Sequence, residues 1–140
     1  MAKMAPVAAE IAFREPTGTI DARISSGYRD GRRKLVGPDA TGLDARTDYA
    51  VRERLRDAAL LELQLHTGRQ HQIRLHLQKL GHPLVGERVY VEQDPAAIRR
   101  MPSAGRNMLH AWKLSFPHPI SGTRVAVEAP LPADFVRMMK

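Results

Sequence analysis

LHTGRQHQIRLHLQKLGHPLVGERVY, residues 65–90, is the stretch on which the reading of this chain turns. It joins the end of an alternating apolar run to a Thr-Gly-Arg turn, a His-Gln-Ile-Arg helix start and a Gly-His-Pro break. Ile73, Leu77 and Leu80 recur at helical spacing, so a helix from about Arg69 to Leu80 is expected to turn these three toward a core. Thr67 is the expected N-cap, and Gly81, followed by Pro83, stands where a left-handed stop belongs. On the same helix His71, Arg74 and Gln78, at spacings of three and four, share another side. Arg74 carries a planar fork suited to a carboxylate or a phosphate, and the turn at residues 67–69 offers backbone N–H groups to an anion. Pattern alone leaves two readings open: the wall of a cleft, or an amphipathic surface helix with a good cap.

Outward from this block the chain alternates like a sheet. Ile20, Ala22 and Ile24 mark one strand; Thr47, Tyr49 and Val51 a second; Leu61, Leu63 and Leu65 a third, with Asp57-Ala58-Ala59 as the expected turn before it. Residues 109–116 and the run Val125, Val127, Ala129 give two more, around a Ser121-Gly122 turn, and Asp134–Met139 suits a short helix. Residues 1–17 show no clear period and are expected to be irregular; residues 27–42 and 91–106 read as loops. Strands, one central helix, then strands imply an α+β fold with a mixed, mostly antiparallel sheet.

Composition narrows the chemistry. The 140 residues suffice for one modest core, and 43% hydrophobic with 26% charged residues argues against wholesale disorder. A net charge of +7 suits a polyanionic partner, and the run Arg32, Arg33, Lys34 in the first loop suits a phosphate-contacting finger or a solvated hairpin tip. With no cysteine, disulfides and thiolate chemistry are excluded. The six histidines lack metal-ligand spacing: His71 and His76, five apart, fall on different helix faces, so no metal is expected. The N-terminus is too short and interrupted for a membrane span or a secretory signal, which makes a cytoplasmic protein the expectation.

The block TGRQHQIRLHLQKLGHPLVGERVY resembles the signature of RNA pseudouridine synthases of the ribosomal large-subunit (RluA) type. That family's pattern is Thr-Gly-Arg-x-His-Gln-(Ile/Leu)-Arg-x-His, then Gly-His-Pro-x-x-Gly-Asp and an aromatic. The likeness extends to residues 45–51 (ARTDYAV), 108–111 (MLHA), 116–119 (FPHP), 129–135 and 18–24, covering roughly residues 18–136. It implies part of a synthase catalytic fold over residues 18–140, acting without cofactor or metal on uridines in RNA, rRNA or tRNA, after the target base leaves the stack. It implies that Arg74 pairs with the family's catalytic Asp. Arg69, His71 and Gln72 at the helix start, with the basic run Arg32, Arg33, Lys34, are the expected RNA contacts.

One departure decides what the resemblance is worth. The family's Asp lies in His-Arg-Leu-Asp-x-x-Thr-Ser-Gly, upstream of the Gly18 strand, and no such motif precedes that strand here. Leu43-Asp44-Ala45-Arg46-Thr47 fits its middle but lacks both flanks, and Thr47 already belongs to the Ala-Arg-Thr strand pattern, so Asp44 is not taken as catalytic. Glu87 stands where the family usually has Asp, keeping the charge and adding a methylene. The expectation is a synthase-family chain that is incomplete and inactive alone because the Asp motif is missing. The alternatives are a non-catalytic RNA-binding module, or one piece of a split synthase whose partner is a complementing N-terminal fragment.

Overall fold

The computed structural model describes residues 2–8, 15–25, 42–55, 58–90 and 104–139. Its frame is a six-stranded sheet: β1 (Ala2–Ala8), β2 (Thr17–Asp21), β5 (Arg46–Arg54), β6 (Ala58–Leu65), β7 (His110–Pro117) and β8 (Arg124–Glu128) in the order β2-β5-β6-β1-β7-β8. Two short strands, β3 (Ile24–Ser25) and β4 (Gly42–Leu43), pair beside it, and every described pairing is antiparallel. With helices α1 (Gln72–Lys79) and α2 (Ala133–Met138) this is the α+β architecture expected from the sequence.

β6 explains how the sheet is sandwiched. Ala58, Ala59, Leu60 and Leu61 are all buried, so both faces of the strand are covered at this end. Ala59, Leu61 and Leu63 pack with Ile20, Ile73 and Leu77, placing α1 on one face. Ala58 and Leu60 pack with Val85, Met108 and Phe135, placing α2 on the other. This corrects the expected turn at residues 57–59: Ala58 and Ala59 already lie in the strand, and the Leu55 N–H donates to the Ala58 carbonyl at 2.8 Å.

A second correction concerns the N-terminus. The residues expected to be irregular supply a strand: Ala2–Ala8 pairs with β6 through Ala2↔Gln64 to Ala8↔Ala58 and borders β7 on its other edge. A central strand needs backbone partners on both sides more than it needs an alternating pattern, and those partners lie 50 or more residues away in sequence. The basic run Arg32, Arg33, Lys34 lies outside the described residues, as does most of the expected 91–106 loop.

Candidate functional site

The site is built where β5, α1 and the segment following α1 meet. α1 begins at Gln72, three residues later than expected, and its N-cap is His71 rather than Thr67. His71 adopts a left-handed backbone, φ 59° and ψ 21°, uncommon for a residue with a side chain. Thr67 is engaged elsewhere: its hydroxyl accepts the Arg46 N–H at 3.0 Å and donates to Gln72 Oε1 at 2.7 Å. At the other end Gly81, at φ +83°, closes the helix with Gly81 N–H to the Gln78 carbonyl and His82 N–H to the Leu77 carbonyl. Ile73 and Leu77 are buried as expected, but Leu80 is 39% exposed, because it is the C-cap and turns away with the chain.

Gln72 is a structural bracket. Its Nε2 donates to the Arg46 carbonyl and to Thr47 Oγ1, both at 2.9 Å, while its Oε1 accepts from the Thr67 hydroxyl and the Arg69 N–H. That uses both donors and both acceptor positions of a buried amide, so Gln72 has nothing left for RNA. The expected anion-binding N–H of Arg69 is occupied by the same bracket, and Arg69 Nε donates to the Asp44 carbonyl at 2.9 Å. The chain of bonds continues inward. His76 Nε2 lies 2.9 Å from the Ala22 carbonyl and must carry the proton there, so Nδ1 accepts from the Thr47 hydroxyl at 2.9 Å. Burial, only partly opposed by the Ala22 bond, holds the His76 pKa below the ordinary histidine value. Through these two side chains β5 and the end of β2 fix where α1 sits.

Arg74 then projects beside the segment at residues 84–90. Its Nε donates to Glu87 Oε2 and its Nη2 to Glu87 Oε1, both at 2.7 Å. The Glu87 side chain is fully buried, and its Oε1 also accepts the N–H groups of Val89 and Tyr90 at 3.1 and 3.3 Å. Burial pushes the Glu87 carboxyl up, but Arg74 and the two backbone donors outweigh it and hold the pKa below the usual glutamate value. The same bonds raise the Arg74 pKa further. The guanidinium lies 5.0 Å from the centre of the Tyr90 ring, and the Tyr90 hydroxyl shares a 2.8 Å hydrogen bond with His71 Nδ1. Arg74 is thus gripped from the side and backed by an aromatic plane, with His71 at the far end of that plane.

The structure therefore brings together Arg74 and His71, and adds two residues the sequence reading had not placed at the site, Glu87 and Tyr90. A carboxylate thirteen residues after an arginine gives no periodic signal across a Gly-His-Pro break. Asp44 is 85% exposed at its side chain and lies 3.8 Å from Arg23. Among the described residues no three potential metal ligands come together, and no helix is long and apolar enough to cross a membrane.

A family model for RNA pseudouridylate synthase matches residues 4–79, the span that carries the bracket and Arg74. The chain belongs to the RNA pseudouridine synthase family. Among its synthase relatives, one from Chloroflexus aurantiacus named as an uncharacterized RNA pseudouridine synthase is 48% identical over 118 residues, 84% of this chain and 35% of that protein. The ribosomal large subunit pseudouridine synthase D of Nitrosomonas europaea is 39% identical over 128 residues, 90% of this chain and 37% of that protein. This synthase-family chain thus spans little more than a third of the length of these curated relatives. The solved structure of human RNA pseudouridylate synthase domain containing 1 superposes with a TM-score of 0.74 at 28% identity, over 92% of this chain and 53% of that one. Human RNA pseudouridylate synthase domain containing 4, at 23% identity and a TM-score of 0.70, shares the fold.

Proposed function

We propose that residues 18–140, with β1, form the arginine-bearing part of a pseudouridine synthase catalytic domain that acts on uridines in rRNA or tRNA in the cytoplasm. The observation that carries this reading is the bracing of Arg74. Glu87 takes its Nε and one Nη2 proton, so the rest of the guanidinium keeps three N–H donors for a second anionic group. In this reading that group is the carboxylate of an Asp in an upstream segment, which Arg74 holds ionised, while Arg69, His71 and the basic run Arg32, Arg33, Lys34 meet the RNA backbone. Without the Asp the chain lacks the group that starts the isomerisation, so alone it binds RNA and does not modify it.

The test has two arms. Binding of a labelled rRNA fragment by the 140-residue chain is followed by fluorescence anisotropy. Affinity is expected to fall steeply between about 50 and 200 mM salt, as counterion release requires. Pseudouridine is then measured by nucleoside mass spectrometry with the chain alone and with the chain fused behind the upstream part of the Chloroflexus relative. Product is expected from the fusion alone and is expected to vanish in Arg74→Ala. Product from the isolated chain that is abolished by Asp44→Ala would replace this reading with one centred on Asp44. Absence of RNA binding at low salt would remove the binding role.

A further inference from the structure

Strand β8 is an edge. Among the described residues it pairs with β7 alone, from Lys113↔Glu128 to Pro117↔Arg124, with no break in register. The bonds that frame this ladder fix the direction of its backbone groups. His118 N–H donates to the Thr123 carbonyl and Ala129 N–H to the Trp112 carbonyl, both at 2.8 Å. Thr123 and Ala129 thus turn toward β7, and by strand alternation so do Val125 and Val127. The N–H and C=O groups of Arg124, Ala126 and Glu128 point the other way, along the open edge. No lysine or proline interrupts Arg124–Glu128 to block a further strand.

The edge reads Arg-Val-Ala-Val-Glu and is complementary to itself run backwards. A two-fold axis at Ala126 sets Arg124 opposite Glu128 of a second copy, Val125 opposite its Val127, and Ala126 opposite its equivalent. In that register the outward groups of both strands meet. A slip of one residue would set outward groups against inward ones. A slip of two would set Arg124 against Pro130, which has no N–H, or Glu128 against the Gly122 turn. The side chains agree with the same register. Directly paired residues share a face, and β7 already pairs Leu114 with Val127 and Phe116 with Val125. Joining two copies extends Leu114 and Val127 into a row with Val125 and Phe116 of the second copy. Leu114, Phe116 and Val127 are 40%, 39% and 52% exposed, an apolar strip that such rows would partly shield. On the opposite face Lys113 and Glu128 gain Arg124 of the second copy, so the charges alternate in sign. Glu128 accepts the Trp112 indole N–H and Arg124 Nε donates to the Ser115 hydroxyl, which leaves each charged group further positions for bonding.

We propose that β8 pairs antiparallel with β8 of a second copy of this chain, about a two-fold axis at Ala126, to make one continuous sheet. The contact is short, so the dimer is weak and depends on concentration. It uses neither Arg74 nor the residues expected to meet RNA.

Sedimentation velocity of the 140-residue chain, from low micromolar to near-millimolar concentration, is expected to show a monomer converting to a dimer. Arg124→Glu and Glu128→Arg each oppose like charges across the axis and should weaken self-association by about tenfold or more. Mixing the two variants restores both opposite-charge pairs and should restore the dimer as a heterodimer. Ala126→Pro removes an outward N–H and no bond to β7, so it should abolish the dimer while the melting temperature of the monomer stays near that of the native chain. A monomer throughout the range would overturn the proposal. So would single variants that associate as the native chain does, or a mixture that does not associate. Hydrogen exchange of the Ala126 amide adds an independent readout: protection is expected to rise with concentration. Equal protection in dilute monomer would show the edge covered by the chain's own residues and would refute the pairing.

Discussion

Arg74 and Glu87 form a two-bond ion pair in which the Glu87 side chain is fully buried and the Arg74 side chain is 18% exposed. The asymmetry matters because the two partners do not lose the same thing when the other is removed. Arg74 can turn its charge to water; Glu87 cannot.

Arg74→Met is therefore expected to cost more than Glu87→Gln. Stranding the buried carboxylate should cost on the order of 3–5 kcal/mol, and the reverse change about 1–3 kcal/mol. Urea denaturation of the two variants at pH 7 checks the order.

The same pair predicts how stability depends on pH. In the native chain the Glu87 pKa is lowered, so its stabilisation is present above the unfolded glutamate value, about 4.3, and is lost as pH falls through the folded pKa. In Arg74→Met burial is opposed only by the backbone donors and the folded pKa should rise. The Glu87 contribution should then be present below the unfolded value and be lost as pH rises through the folded one. The loss of stability between pH 7 and pH 4, read from urea midpoints, should therefore be smaller in Arg74→Met than in the native chain.

His76 predicts a second acid sensitivity at higher pH. Its folded pKa is lowered by burial, so the unfolded chain binds the extra proton and stability falls as pH drops below about 6.5, by at most about 1.4 kcal/mol per unit for one group. His82, also lowered by burial, adds in the same direction. His76→Gln should be less stable than the native chain at pH 7.5 yet lose less between pH 7.5 and 5.5.

Gly86 and Gly81 both have positive φ, but only one is hemmed in. A Cβ at Gly86, φ +88°, would lie 1.9 Å from the Arg106 backbone carbonyl oxygen, whereas at Gly81 it would meet nothing within 4 Å. Gly86→Ala should cost more than about 3 kcal/mol or prevent folding, and Gly81→Ala only about 1 kcal/mol. Thermal melts of the two variants distinguish the cases.

Gln72→Ala should act on the fold and not on RNA contact. It removes the partners of a buried hydroxyl and of the Arg69 N–H, at a cost of about 2–4 kcal/mol, while RNA affinity measured well below the melting point stays near that of the native chain. A large loss of affinity in folded protein would return Gln72 to the RNA surface.

Much of the fold was legible because its signals are local. Alternation at Thr47, Tyr49 and Val51 and at Leu61, Leu63 and Leu65 marks strands with one face against α1, and Ile73 and Leu77 mark the inward side of that helix. Gly81 announced the helix end, since a left-handed stop needs no distant partner. The motif of residues 67–90 pointed to the family because its polar residues are spaced by the chain itself.

What the sequence by itself determined, then, was the class of fold and the family. Only the tertiary structure decided what holds Arg74, that Gln72 faces inward, and that Ala2–Ala8 threads the middle of the sheet. Each of these depends on a bond between groups that no periodicity relates: a carboxylate past a helix break, a carbonyl on another strand, a backbone edge half a chain away. A lone side chain's chemistry can be read from its residue type, but a buried polar group takes its meaning from the partner that replaces water, and that partner is chosen by the fold.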